Sequence, residues 1–164
     1  MVCCIFGAGE LYGCEQLPDC SFFSICADGG YDTAQKMGVT PDVFIGDFDS
    51  LRGDLSCREV IRLKPEKNDT DTLSAVKLAL ERGYTEFYFY GCTGGRTDHT
   101  IANIQILYEL ANRGCRAYLL GNHEIFTCIC GCTACFSEES EGMFSVFSLS
   151  ETSTGVSETG VKYT

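Results

Sequence analysis

Gly46-Asp47-Phe48-Asp49-Ser50 sets two carboxylates one residue apart, directly after the apolar run Val43-Phe44-Ile45. In an extended chain residues i and i+2 point the same way, so Asp47 and Asp49 face one point. Two like charges that close require a cation between them or a raised pKa. Oxygen donors on a short loop suit a hard ion such as Mg²⁺, which takes one or two carboxylates and completes its octahedron with water and substrate phosphates. For a single such pair the plainer reading is an Asp-rich turn that caps the next segment. Other acidic loops shift that balance.

Ala27-Asp28-Gly29-Gly30 follows a second apolar run, Phe22 to Cys26, and its glycines let a backbone approach a ligand closely. Lys67-Asn68-Asp69-Thr70-Asp71-Thr72 precedes Leu73, Val76, Ala79 and Leu80, whose spacing is that of one helix face. There Asn68, Asp69 or Thr70 serves as a cap, and Asp71 in the first turn is favoured by the helix dipole. Capping competes with a ligand role for Asp69 on equal terms. Gly91-Cys92-Thr93-Gly94-Gly95-Arg96-Thr97-Asp98-His99 is a glycine-rich turn feeding a helix, a ready anion site with Arg96 as a fork for phosphate oxygens. Asp98 supplies another carboxylate, to a metal or to hold Arg96, and His99 reads as a structural hydrogen-bond partner before a base.

These residues need elements to position them. Strands are expected over Val2–Phe6, Phe22–Cys26, Val43–Ile45, Glu59–Leu63, Phe87–Tyr90 and Arg116–Leu120. Helices are expected over Tyr31–Met37, over the stretch after Asn68 up to Gly83, and over the stretch carrying Ile101, Ile104, Tyr108 and Ala111 on one face up to Gly114. Alternation of this kind predicts an α/β fold with a mostly parallel, Rossmann-like sheet flanked by helices. Ligands of such sheets lie at the carboxyl ends of strands, where Asp28, Asp47, Asp49, Asp69, Asp71 and Asp98 all fall. So many carboxylates with few cations predict a divalent metal. Together with a phosphate grip and no Walker sequence, they predict phosphoryl or pyrophosphoryl transfer on a non-P-loop scaffold. Gly7-Ala8-Gly9-Glu10-Leu11-Tyr12-Gly13 is an imperfect match to a dinucleotide fingerprint and reads as a tight turn.

The 164 residues fit one ordinary domain, and 45% apolar content suffices for a core. A net charge of −11 excludes the broad basic footprint of a nucleic-acid binder. No run reaches the length of a membrane span and the first strand lacks a basic leader, so a soluble cytoplasmic protein is expected. Of the 12 cysteines, Cys3, Cys4 and Cys26 lie in apolar strand runs and Cys115 at a helix-to-strand joint, the pattern of reduced, buried thiols. Cys128, Cys130 and Cys132 would share a face if that segment were a strand, with Cys135 nearby, but the spacing favours buried strand cysteines over zinc or a cluster.

After residue 136 the pattern changes. Residues 137–142 read as an acidic linker. Met143 to Leu149 and Val156 to Tyr163 show short strand-like alternation, too little to close a core.

Ala27-Asp28-Gly29-Gly30, Gly46-Asp47-Phe48-Asp49-Ser50, Asn68-Asp69-Thr70-Asp71 and Gly94-Gly95-Arg96-Thr97-Asp98-His99 with Ala102-Asn103-Ile104 occur in the order and spacing of the thiamine pyrophosphokinase family, which residues 1–136 resemble. The resemblance implies an α/β catalytic domain (1–136), a linker (137–142) and a C-terminal β-sandwich that residues 143–164 only begin. It also implies a homodimer that uses Mg²⁺ and converts thiamine and ATP into thiamine diphosphate and AMP. Carried onto this chain, it makes Asp47, Asp49 and Asp71 metal ligands, and Asp28, Gly29, Gly30, Gly94, Gly95, Arg96 and Asp98 nucleotide or phosphate contacts. Asp71 or Asp98 would then be the proton acceptor. Gly160-Val161-Lys162-Tyr163 resembles the family's Gly-Leu-Lys-Tyr strand, and the later Ser-Asn segment used against thiamine does not follow, so poor thiamine turnover by this chain is expected. The rivals are a metal-dependent nucleotide or diphosphate hydrolase, a non-catalytic nucleotide-binding module, and a zinc or iron–sulfur protein built on Cys128 to Cys135.

Overall fold

The computed structural model describes residues 1–13, 22–47, 56–64, 68–137 and 141–162. Asp49, with Phe48 and Ser50 of its loop, lies outside the described residues, as do Lys67 and Tyr163. The chain forms two compact units, Met1–Cys130 and Gly131–Thr164.

The first unit runs β1 (Val2–Phe6), β2 (Phe23–Ala27), α1 (Gly30–Lys36), β3 (Val43–Gly46), β4 (Glu59–Arg62), α2 (Asp71–Glu81), β5 (Glu86–Tyr90), α3 (Thr97–Asn112), β6 (Arg116–Leu120) and β7 (Ile125–Thr127). The sheet order is β4-β3-β2-β1-β5-β6-β7. Pairings from β4 through β6 are all parallel, and β7 alone returns antiparallel. β2, β3 and β4 step outward from β1 on one side; α2 then carries the chain back to β5, on β1's other side. The winding therefore reverses between β1 and β5, and the crevice at their carboxyl ends is where open α/β sheets bind ligands.

Both sheet faces are packed, because buried parallel strands are apolar on each side. Cys3, Ile5, Ile25, Val43, Phe87 and Phe89 meet Ala75, Val76 and Ala79 of α2 and Ile106, Leu107 and Leu110 of α3. On the opposite face Cys4, Phe6, Cys26, Phe44 and Tyr90 pack with Ala34 of α1. The strand cysteines thus behave as small hydrophobes: burial pushes the Cys4 and Cys92 thiols up to about 12 and raises those of Cys3 and Cys26 as well.

α2 begins where its sequence says it should. Thr70 is extended (φ −68°, ψ 157°) and its Oγ1 accepts from Leu73 N–H at 3.1 Å, so Thr70 is the cap, and Asp69 pairs instead with Lys77. Thr70→Ala is expected to cost about 1 kcal/mol, read as a shift of the urea midpoint, because one orphan N–H loses its acceptor.

The α3 face differs from the expected one. Of the four expected residues Ala111 is buried and Ile104 packs against the core, but Ile101 and Tyr108 are 54% and 36% exposed, and Asn103, Ile106, Leu107 and Leu110 are buried instead. Apolar residues line this helix on more than one side, and on the buried side Asn103 Nδ2 donates to Cys92 O at 2.7 Å. β7 also ends at Thr127, so Cys128, Cys130 and Cys132 are not on a strand together.

In the second unit the described residues carry no strand, and nearly all are exposed. The described residues of the two stretches expected to be strand-like, 143–149 and 156–162, are in no strand. Alternation over a handful of residues does not by itself offset the entropy of ordering them.

Candidate functional site

In a parallel sheet every strand leaves at one edge and every following helix starts from it, so topology alone gathers five of the six predicted aspartates at the carboxyl edge. Asp28 ends β2, Asp47 follows β3, Asp69 and Asp71 flank the start of α2, and Asp98 lies in the first turn of α3.

Asp28 is held tightly. Its N–H donates to Ile45 O at 2.9 Å, and it sits in the left-handed region (φ 45°), which a short polar side chain tolerates. Gly46 makes room for it: a Cβ there would stand 3.1 Å from Asp28 Oδ1. The Asp28 carboxylate therefore lies over the residue that precedes Asp47.

Gly29 and Gly30 open α1, and the room left by Gly30's missing side chain is filled by β1. A Cβ there would fall 2.5 Å from the Phe6 carbonyl carbon and 2.9 Å from Gly7 N. Gly30 serves the close approach of helix to strand.

At the switch point two glycine turns are laced together. Gly7 N–H donates to Tyr90 O at 2.9 Å, Gly9 N–H to Gly91 O at 2.6 Å and Glu10 N–H to Thr93 O at 2.9 Å, while Thr33 Oγ1 donates to Gly7 O at 2.7 Å. Thr93 is 4% exposed, and its Oγ1 meets no hydrogen-bond partner among the described residues. The glycine-rich turn is present, but two of its donors are engaged. Gly95 N–H donates to Glu10 Oε1 at 3.2 Å, and Arg96 grips Asp98 through Nε (3.1 Å) and a terminal nitrogen (2.6 Å). The Arg96 guanidinium holds the Asp98 carboxyl below the usual carboxylate range, so the pair persists at neutral pH and is lost only as pH falls through that lowered value. Glu10 and Tyr12, over Gly94, are the residues sequence reasoning missed; the 7–13 stretch signalled a turn and nothing about what it covers.

Among the five described aspartates the gathering expected from sequence is looser. Asp69 turns to Lys77 and Asp98 to Arg96, and among the described residues no three His, Cys, Asp or Glu side chains stand together as a metal site. The same holds for Cys128, Cys130, Cys132 and Cys135. Asp28, Asp47 and Asp71 are half-buried at the same edge. Their oxygen-only chemistry fits Mg²⁺, for which one or two carboxylates suffice.

Fold and site together define an open, doubly wound α/β domain whose carboxyl edge pairs aspartates with a glycine-rich turn. Residues 14–119 match the family described as thiamin pyrophosphokinase, catalytic domain, and the chain belongs to that family. It is 36% identical over 92 residues to the thiamine pyrophosphokinase of Bacillus subtilis, spanning 42% of that protein's length. Among solved structures it resembles a thiamin pyrophosphokinase family protein from Enterococcus faecalis, with TM-score 0.63, 26% identity, and 74% of this chain matched to 61% of that one. The Bacillus subtilis crystal structure gives TM-score 0.58 and 28% identity, over 73% of this chain and 60% of that one. The chain thus spans 42% to 61% of the length of these relatives. Among the described residues no helix is long and apolar enough to cross a membrane.

Proposed function

We propose that this chain is the catalytic part of a Mg²⁺-dependent enzyme that transfers pyrophosphate from ATP to the hydroxyl of thiamine, giving thiamine diphosphate and AMP. It would act as a soluble cytoplasmic homodimer. The observation that carries the reading is the shared edge: among the described residues Asp28 and Asp47 end strands, and Asp69, Asp71 and Asp98 stand at helix starts, all on the carboxyl side of one mostly parallel sheet.

Asp47, Asp49 and Asp71 would hold Mg²⁺, which when bound neutralises charge on the phosphate oxygens. Arg96 and the Gly94-Gly95 backbone grip the polyphosphate, and Asp28 lines the adjoining strand end. Transfer forms a bond from the thiamine oxygen to the β-phosphorus and breaks the bond from that phosphorus to the oxygen that leaves on AMP. The hydroxyl proton passes to a carboxylate. That carboxylate is Asp71 or Asp98, and each then faces a cation, Mg²⁺ for the one and Arg96 for the other, which makes it a weaker base.

Purified protein with Mg²⁺ and ATP is expected to form AMP only when thiamine is present, with one thiamine diphosphate per AMP. Equal AMP release without thiamine would assign a hydrolase instead, and nucleotide binding without turnover a binding module.

A further inference from the structure

The amide that the glycine turn would offer to a phosphate already has a carboxylate on it. Glu10 reaches Gly95 N–H because its own N–H is fixed to Thr93 O, which places the side chain along Gly94. A Cβ on Gly94 would lie 2.9 Å from Glu10 Cβ and Cδ and against the Tyr12 hydroxyl; with φ +73° as well, the position excludes a side chain twice over. Arg96 is likewise occupied, by Asp98. Carboxylates and phosphates seek the same donors, and both glutamate and aspartate here are on exposed residues, so burial does not fix either in place.

We infer that Glu10 is an internal stand-in for the ligand's phosphate: it occupies the Gly91–Arg96 turn when the site is empty and must swing out before a polyphosphate can bind. Glu10 thereby sets the affinity of the site and favours ligands with several negative charges, which outcompete one carboxylate. The inference rests on reading that turn as the phosphate grip. Apparent affinity falls in proportion to the fraction of molecules with the amide open, so an amide open in about a tenth of them weakens binding about tenfold.

Calorimetric titration of wild type, Glu10→Gln and Glu10→Ala with Mg-ATP and with inorganic triphosphate tests this. Glu10→Ala is expected to tighten both ligands by about 5- to 10-fold, with Glu10→Gln between, since its amide oxygen still accepts but carries no charge. In ¹⁵N–¹H spectra the Gly95 amide of ligand-free Glu10→Ala should exchange faster with solvent than that of wild type, and triphosphate should protect it in both. Weaker or unchanged binding by a folded Glu10→Ala overturns the inference while leaving the phosphate grip standing. A wild type that binds neither ligand overturns the grip itself, and the inference with it.

Discussion

Asp47→Asn and Asp71→Asn will each lower thiamine-dependent AMP formation by about 10²- to 10³-fold, the scale on which removing one electrostatic element of a transition-state site is felt. Each substitution keeps the shape of the side chain and removes its charge, so the sheet and α2 should persist by circular dichroism. Asp71 also faces the start of α2, where losing a charge costs at most about 1 kcal/mol of stability. The rate loss should come with a higher Mg²⁺ requirement. The informative measurement is the double variant. Two carboxylates serving one ion act as a unit, and the second substitution should then cost little beyond the first, whereas independent sites would multiply. Asp69→Asn is the control, because Lys77 already holds that carboxylate in an exposed pair worth little. Single losses under about fivefold, or a fully multiplicative double, would remove the shared-ion reading.

The fold was largely legible because its signals are local. Each parallel strand is a short apolar run, each helix has a cap or a glycine stop, and the alternation of the two leaves few topologies. Thr70 shows how local the signal is: one hydroxyl before Leu73 marks the first turn of α2. β7 and the α3 face were less legible. β7 is three residues long and exists only through its antiparallel register with Leu120, Leu119 and Tyr118. On α3 the helical period is satisfied by more than one set of apolar residues, and the buried side includes a polar one, Asn103, bonded to a carbonyl that the sequence cannot place.

The candidate site was legible in its location and not in its internal pairing. Spacing places Asp28 and Asp47 at strand ends and Asp71 and Asp98 at helix starts, and chain direction in a parallel sheet brings both to one edge. Which carboxylate faces a cation is decided by contacts between residues far apart in sequence. Glu10 and Gly95 are 85 positions apart, and no periodicity links them. Gly30 is the sharpest case, since a glycine beside an aspartate at a strand end reads as ligand room when its neighbour is in fact the backbone of β1.

Gly30→Ala is accordingly expected to destabilise the first unit by about 4 kcal/mol or more, the range reserved for core clashes that cannot relax. Helix propensity alone predicts the opposite sign: Ala at a helical position gains up to about 1 kcal/mol over Gly. Sterics win because the added methyl would sit 2.5 Å from the Phe6 carbonyl carbon and closer still to its oxygen. Phe6 is in the central strand, paired on one side with Cys26 and on the other with Tyr90, and its ring stacks on Tyr90 at 5.2 Å. Relief would require α1 to lift off the sheet, uncovering Ala34 and the Phe6–Phe44–Tyr90 cluster, or β1 to shift out of two ladders at once. With a urea slope of about 2 kcal/mol per molar, the midpoint should fall by about 2 M, leaving a protein of ordinary stability close to unfolding at room temperature. Gly38→Ala separates this from backbone strain. Gly38 sits at φ +72° with nothing within 4 Å of its added Cβ, so only the left-handed penalty of about 1–2 kcal/mol applies. A Gly30→Ala protein as stable as Gly38→Ala would mean that α1 can stand away from β1 at little cost, and the close seating of helix on strand that carries Asp28 to the ligand edge would no longer follow from Gly30.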